Sequence, residues 1–121
     1  TKRGCILATP HLGDWEAGSC VGAWLGFDPF YVVSKPPRNR PLSVHAHKLR
    51  ERRGVRLIPR RGAMKDAPAV VQSGGTLGLM LDQRARKRPV MAPFFGRMAR
   101  CDRSAAVLLK RLRAPIVFAA C

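Results

Sequence analysis

The segment HLGDWE, residues 11–16, sets a histidine, an aspartate and a glutamate within one short stretch, directly after the apolar run CILAT. An imidazole held at one ring nitrogen by a carboxylate offers its other nitrogen as a base near neutral pH. His11 on the turn and Glu16 at the start of a following helix can face each other, which makes His11 the candidate base and Glu16 the acid that holds it. The nucleophile would then be a hydroxyl of the substrate itself. Asp14 suits the N-cap of that helix, where backbone amides would occupy its oxygen. Spacing alone fits a surface histidine beside a capping box equally well. His45 and His47, in VHAHKLR, have no carboxylate cluster beside them and read as solvated residues rather than metal ligands.

Short apolar runs alternating with longer amphipathic ones supply the frame for such a pair. Strands are expected at 5–9, 30–33, 55–58, 76–81 and 116–120, and helices at 15–25, 42–53, 63–72 and 104–112. The helix at 15–25 is apolar on several faces and suits a buried position. KPPRNRP (35–41), with its three prolines, reads as a stiff basic loop outside regular structure. RARKRP (84–89) reads as a second basic loop and VMAPFFG (90–96) as an extended piece. Strands separated by helices favour right-handed crossovers, so the expected fold is α/β, a largely parallel sheet with flanking helices forming one domain over 1–121. Ligands of such sheets gather at the carboxyl ends of the strands, where His11, Lys35, Arg60 and Asp82 all fall. Both ends run straight into apolar segments, and the chain reads as a piece truncated at both ends.

The charge is unusual: 23 Lys and Arg against 7 Asp and Glu leave a formal +16. An acidic partner is implied, and the candidates are nucleic acid, an anionic bilayer or an acidic carrier protein. Few aromatics and no recognisable binding motif weigh against nucleic acid, the competing class, which would also leave His11 and Glu16 without a purpose. Cys5, Cys20, Cys101 and Cys121 show no CxxC pairing and read as small buried hydrophobes, which suits a reducing compartment such as the cytoplasm. No apolar stretch approaches the roughly 20 residues that span a bilayer, so work at a membrane would be done from its surface.

Five blocks, GCILATPHLGDWE, SKPPRNRPL, LIPRRG, GLMLDQ and APFFGR, follow one another in an order and spacing that resemble the lipid A biosynthesis acyltransferases, the late lauroyl and myristoyl transferases. The resemblance runs over nearly the whole chain. It implies a glycerolipid-acyltransferase-like fold of the lysophospholipid-acyltransferase-like superfamily, with no cofactor and no metal. His11 would deprotonate an acceptor hydroxyl, Glu16 would orient it, and the hydroxyl would attack an acyl thioester on acyl carrier protein or coenzyme A. The acceptor would be a phosphorylated lipid at the cytoplasmic face of a bacterial inner membrane. Lys35, Arg38, Arg60, Asp82, Gln83 and Arg97 make up the expected substrate-binding set. Lys35 stands in SerLysPro where the family has Tyr-Arg-Pro, which keeps the charge but loses the planar fork, and Arg38 and Arg40 lie on the same loop to take over phosphate contact. Asp82 and Gln83 match the family's Asp-Gln or Asp-His pair at a strand end, with Asp82 as a structural or site-orienting carboxylate. MARCDRS replaces the family's Thr-rich stretch, with Cys101 and Arg103 where hydroxyl residues are common. Phe94 and Phe95 suit an acyl groove, the core or a membrane-facing surface alike.

Overall fold

Residues 3–35 and 37–120 are described by a computed structural model. Cys121, read above as a small buried residue, and Pro36 of the basic loop lie outside the described residues. The elements run β1 (Cys5–Thr9), α1 (Trp15–Trp24), β2 (Phe30–Ser34), α2 (Arg40–Arg52), β3 (Val55–Pro59), α3 (Ala63–Gln72), β4 (Thr76–Met80), β5 (Val90–Phe94), β6 (Arg97–Cys101), α4 (Ser104–Leu112) and β7 (Ile116–Phe118). β1, β2, β3, β4 and β7 form one parallel sheet in the order β3-β2-β4-β1-β7. The expected α/β class is therefore the observed one, and β5 pairs with β6 in a separate antiparallel hairpin.

Register decides which side chains share a face. Ile6 pairs with Leu77 and Ala8 with Leu79, while Leu7 pairs with Gly78, and Gly78 also with Val32. The Ile6 face is the filled one: Ile6, Leu77, Leu79 and Ile58 pack against Ala67, Val70 and Val71 of α3 and Ala105 and Leu108 of α4. Such a contiguous apolar cluster is the dominant favourable term for a chain this size. Gly4 shows how close the packing runs at the foot of β1, because a Cβ there would collide with the carbonyl oxygens of Val71 and Gly75.

The opposite face carries α1 and α2 and is filled sparsely. Within α1 only Gly22 is fully buried, and α2 buries none of its residues completely. The expectation of a buried helix at 15–25 is corrected here: its sheet-facing positions are small, while Val21, Trp24 and Leu25 point outward, Trp24 being 85% exposed. Asp14 is the N-cap as expected, its Oδ1 accepting from the Ala17 amide at 3.0 Å. The loop at 35–41 is shorter than expected. Asn39 caps α2 by accepting from the Leu42 amide, and Arg40 and Pro41 form its first turn, where a residue lacking an N–H and fixed near helical φ is at home. Cys5, Cys20 and Cys101 are half-buried free thiols rather than fully buried ones.

Candidate active site

His11 follows β1 and Asp82 follows β4, and these two strands are neighbours in the sheet. The chain leaves β1 toward α1 on one face, whereas after β4 it passes to the hairpin and then to α4 on the other. The loops diverge at this point, which opens a crevice at the strands' carboxyl ends. Across it the Asp82 carboxylate takes hold of His11 twice. Oδ2 accepts from the His11 backbone amide at 2.7 Å, and Oδ1 meets ring Nδ1 at 2.7 Å. With Nδ1–H donating to a carboxylate, the lone pair stands on Nε2. Trp15 packs edge-on against the ring, with centroids 5.7 Å apart, and limits its rotation.

Burial pushes the Asp82 carboxyl up, but the hydrogen bonds donated by the His11 ring, the His11 amide and its own amide outweigh that and hold it below its ordinary value. Asp82 therefore stays an anion wherever the protein is folded near neutral pH. The Gln83 amide nitrogen stands 3.5 Å from His11 Nε2, too far for a strong bond.

Glu16 does not hold the imidazole. Its carboxylate is engaged by both Arg50 Nε, at 3.1 Å, and Arg50 Nη2, from α2. The expected contact between Glu16 and His11 is thus corrected. A planar guanidinium offers a carboxylate two parallel donors, which a neutral imidazole cannot match. The ring is left to the acid that shares its end of the sheet.

A cavity of about 530 Å³ opens beside His11. On the α1 side it runs along Leu7, Val32, Leu57 and Gly78, and on the other along Ala63, Ala67 and Leu79. Its polar rim is made of His11, Glu16, Lys35, Arg50, Arg60, Gln83 and Arg84, with Asp102 and Ser104. Of the expected set, His11, Glu16, Lys35, Arg60 and Gln83 are brought together here, and Asp82 joins them through His11. Arg38 and Arg97 are not among the lining residues; Arg38 is exposed on the loop before α2, and Arg97 pairs with Phe94 beside the hairpin turn. Phe94 and Phe95 are exposed and do not line the cavity. His47 meets Glu51 one helical turn on, at 3.1 Å on the surface. Arg50, Trp15, Asp102 and Ser104 were not foreseen. Arg50 is one of several arginines on a basic helix, and nothing local marks it as the one that reaches back to α1.

The carboxyl edge of the parallel sheet thus carries a carboxylate-held imidazole beside a largely apolar cavity with cations among its lining residues. The chain belongs to the bacterial lipid A biosynthesis acyltransferase family, whose profile matches residues 1–121. It is also similar to the phosphatidylinositol mannoside acyltransferase of Mycolicibacterium smegmatis, with 29% identity over 114 residues, covering 88% of this chain and 36% of that protein. The chain thus spans little more than a third of that relative's length.

Proposed function

We propose that this chain carries the catalytic centre of an O-acyltransferase that moves a fatty acyl chain from acyl carrier protein, or from acyl-CoA, to a hydroxyl of a phosphorylated glycolipid of the lipid A precursor kind. The setting is the cytoplasmic face of a bacterial inner membrane. The observation that carries the reading is the double grip of Asp82 on His11, which leaves Nε2 as the free base at the mouth of an apolar cavity. His11 Nε2 takes the proton from the acceptor hydroxyl as its oxygen attacks the thioester carbonyl. The tetrahedral oxyanion collapses, the C–S bond breaks, and the departing thiolate recovers the proton from His11. An ester and a free thiol result.

Within this scheme Asp82 fixes the tautomer and supports the imidazolium, Lys35 and Arg60 meet the phosphate of the acceptor, and Glu16 positions Arg50 at the rim. Gln83 keeps the place of the hydroxyl until substrate displaces it. A basic surface suits an acidic carrier and an acidic acceptor at once. An acceptor of the phosphatidylinositol mannoside type is the second reading, favoured by the similarity to the mycobacterial enzyme. A nucleic-acid module gains no support from the family match.

The test is acyl transfer by the full-length protein. His11→Ala is expected to lose about 10²- to 10⁴-fold in kcat with its near-ultraviolet circular dichroism unchanged. Asp82→Asn should fall by about a hundredfold or more, and Glu16→Gln by only about tenfold, since the latter loses one charge-assisted contact and no part of the base. Equal losses for the two acids would overturn the assignment of Asp82. Lys35→Ala should weaken acceptor use more than hydrolysis of the carrier thioester.

A further inference from the structure

β5 and β6 stand apart from the main sheet, joined by the two-residue turn Phe95-Gly96, with φ of +49° and +74°. Two positive φ values in a row define the hairpin turn for which Asn-Gly is the favoured pair. Phenylalanine is a poor occupant of that first position, because its Cβ crowds the backbone there. Its ring is not buried by the protein in return: Phe95 is 91% exposed, Phe94 64% and Met98 62%, and Val90 and Met91 are exposed as well. The two rings meet edge-to-face at 4.7 Å, so they form one protruding apolar tip.

The segment from Gln83 to Cys101 contains six cations, Arg84, Arg86, Lys87, Arg88, Arg97 and Arg100, and no carboxylate. Four of them lie on the loop at the hairpin's foot, and Arg97 pairs with Phe94 beside the tip, where a long stem lets the charge reach back toward water. Arg100 ties the foot to the site loop by donating to the carbonyls of Ala85 and Arg86. That loop begins at Asp82 and Gln83. An apolar tip above a collar of cations has the layering of a bilayer surface, with acyl chains inside and phosphates at the rim. Nucleic acid is a worse fit, since Val90, Met91 and Met98 have no stacking face to offer a base.

We propose that the β5–β6 hairpin is a wedge that seats Phe94 and Phe95 in the acyl region of an anionic leaflet while the cations at its foot engage lipid phosphates. The inference rests on the reading of the chain as a lipid-acylating enzyme, and it names the part that brings the site to its acceptor. The deciding experiment places 4-fluorophenylalanine at position 95 of the full-length protein. Its fluorine resonance should broaden with vesicles of phosphatidylcholine and 30% phosphatidylglycerol carrying a spin-labelled lipid, and stay sharp with pure phosphatidylcholine. A resonance untouched by both vesicles would overturn the proposal. So would one shielded from a water-soluble gadolinium chelate before any lipid is added, which means that protein covers the tip, or one that responds to oligouridine instead. Phe95→Asn, which suits the turn better, should lower transfer to an acceptor in those vesicles by about tenfold, the worth of removing one buried ring. It should leave transfer in detergent micelles unchanged. Absence of micellar transfer by the unaltered protein would count against the enzymatic reading and leave the fluorine result to decide the wedge by itself.

Discussion

Asp82 donates nothing and accepts from His11 at both the backbone amide and the ring, so one carboxylate fixes the position and the tautomer of the imidazole together. Its depressed pKa also ties it to acid stability. A carboxyl held below its unfolded value of about 3.9 contributes stability that is complete above that pH and is lost as the pH falls through the folded value. Wild type should therefore unfold at a higher temperature than Asp82→Asn at pH 6, and the gap should close as the pH falls below about 4; a gap that persists in strong acid would mean that the difference is not electrostatic. The sequence made the place of His11 legible because a histidine directly after a buried-strand pattern has to sit at the sheet's edge. It pointed to Glu16 as the partner because only near neighbours can be weighed by spacing. The actual partner is 71 positions away, and what separates Glu16 from the ring is an arginine on another helix.

At the scale of elements, each strand of the parallel sheet was announced by an apolar run of strand length, and α1, α2 and α3 by a cap or stop glycines. Gly54 and Gly74, at φ of +81° and +87°, end α2 and α3 as such residues should. β6 was missed. Its sequence RMARC alternates charge with small or apolar residues too weakly to declare a strand, and Phe-Gly hides a turn that Asn-Gly would have advertised. The exposed outer side of α1 was missed for a different reason, since a helix with apolar residues all round carries no signal of which face turns inward. The filled face of the sheet gives two stability tests by denaturant unfolding. Leu108→Ala, at a side chain 1% exposed beneath α3, should cost about 2–5 kcal/mol. Gly4→Ala should cost at least about 3 kcal/mol, because its new methyl meets the carbonyls of Val71 and Gly75, which cannot swing away as a side-chain end could. A loss below 1 kcal/mol in either variant would mean that the packing there is looser than described.

For the whole molecule, a formal +16 sets the terms on which any acidic substrate approaches. With acyl carrier protein as donor, kcat/KM should drop by about tenfold between 50 and 500 mM NaCl, whereas turnover of a short neutral acyl thioester should hardly change. A flat salt response with the carrier would show that the basic surface is not where the donor docks. Charge was fully legible from composition, yet its distribution was not: only the fold shows which cations line the cavity and which stand at the hairpin's foot, with Arg84 in both sets. The sheet order carries one more consequence. His11 and Asp82 arrive on adjacent strands from opposite sides of the turn at 73–75, and β1 and β4 bond along their whole length. A chain divided at that turn yields two fragments, each holding half of the His11–Asp82 pair and, on the proposed mechanism, each silent alone. On the proposed mechanism, turnover would return only where the fragments find one another, which would make this core a sensor of molecular proximity that needs no added reporter.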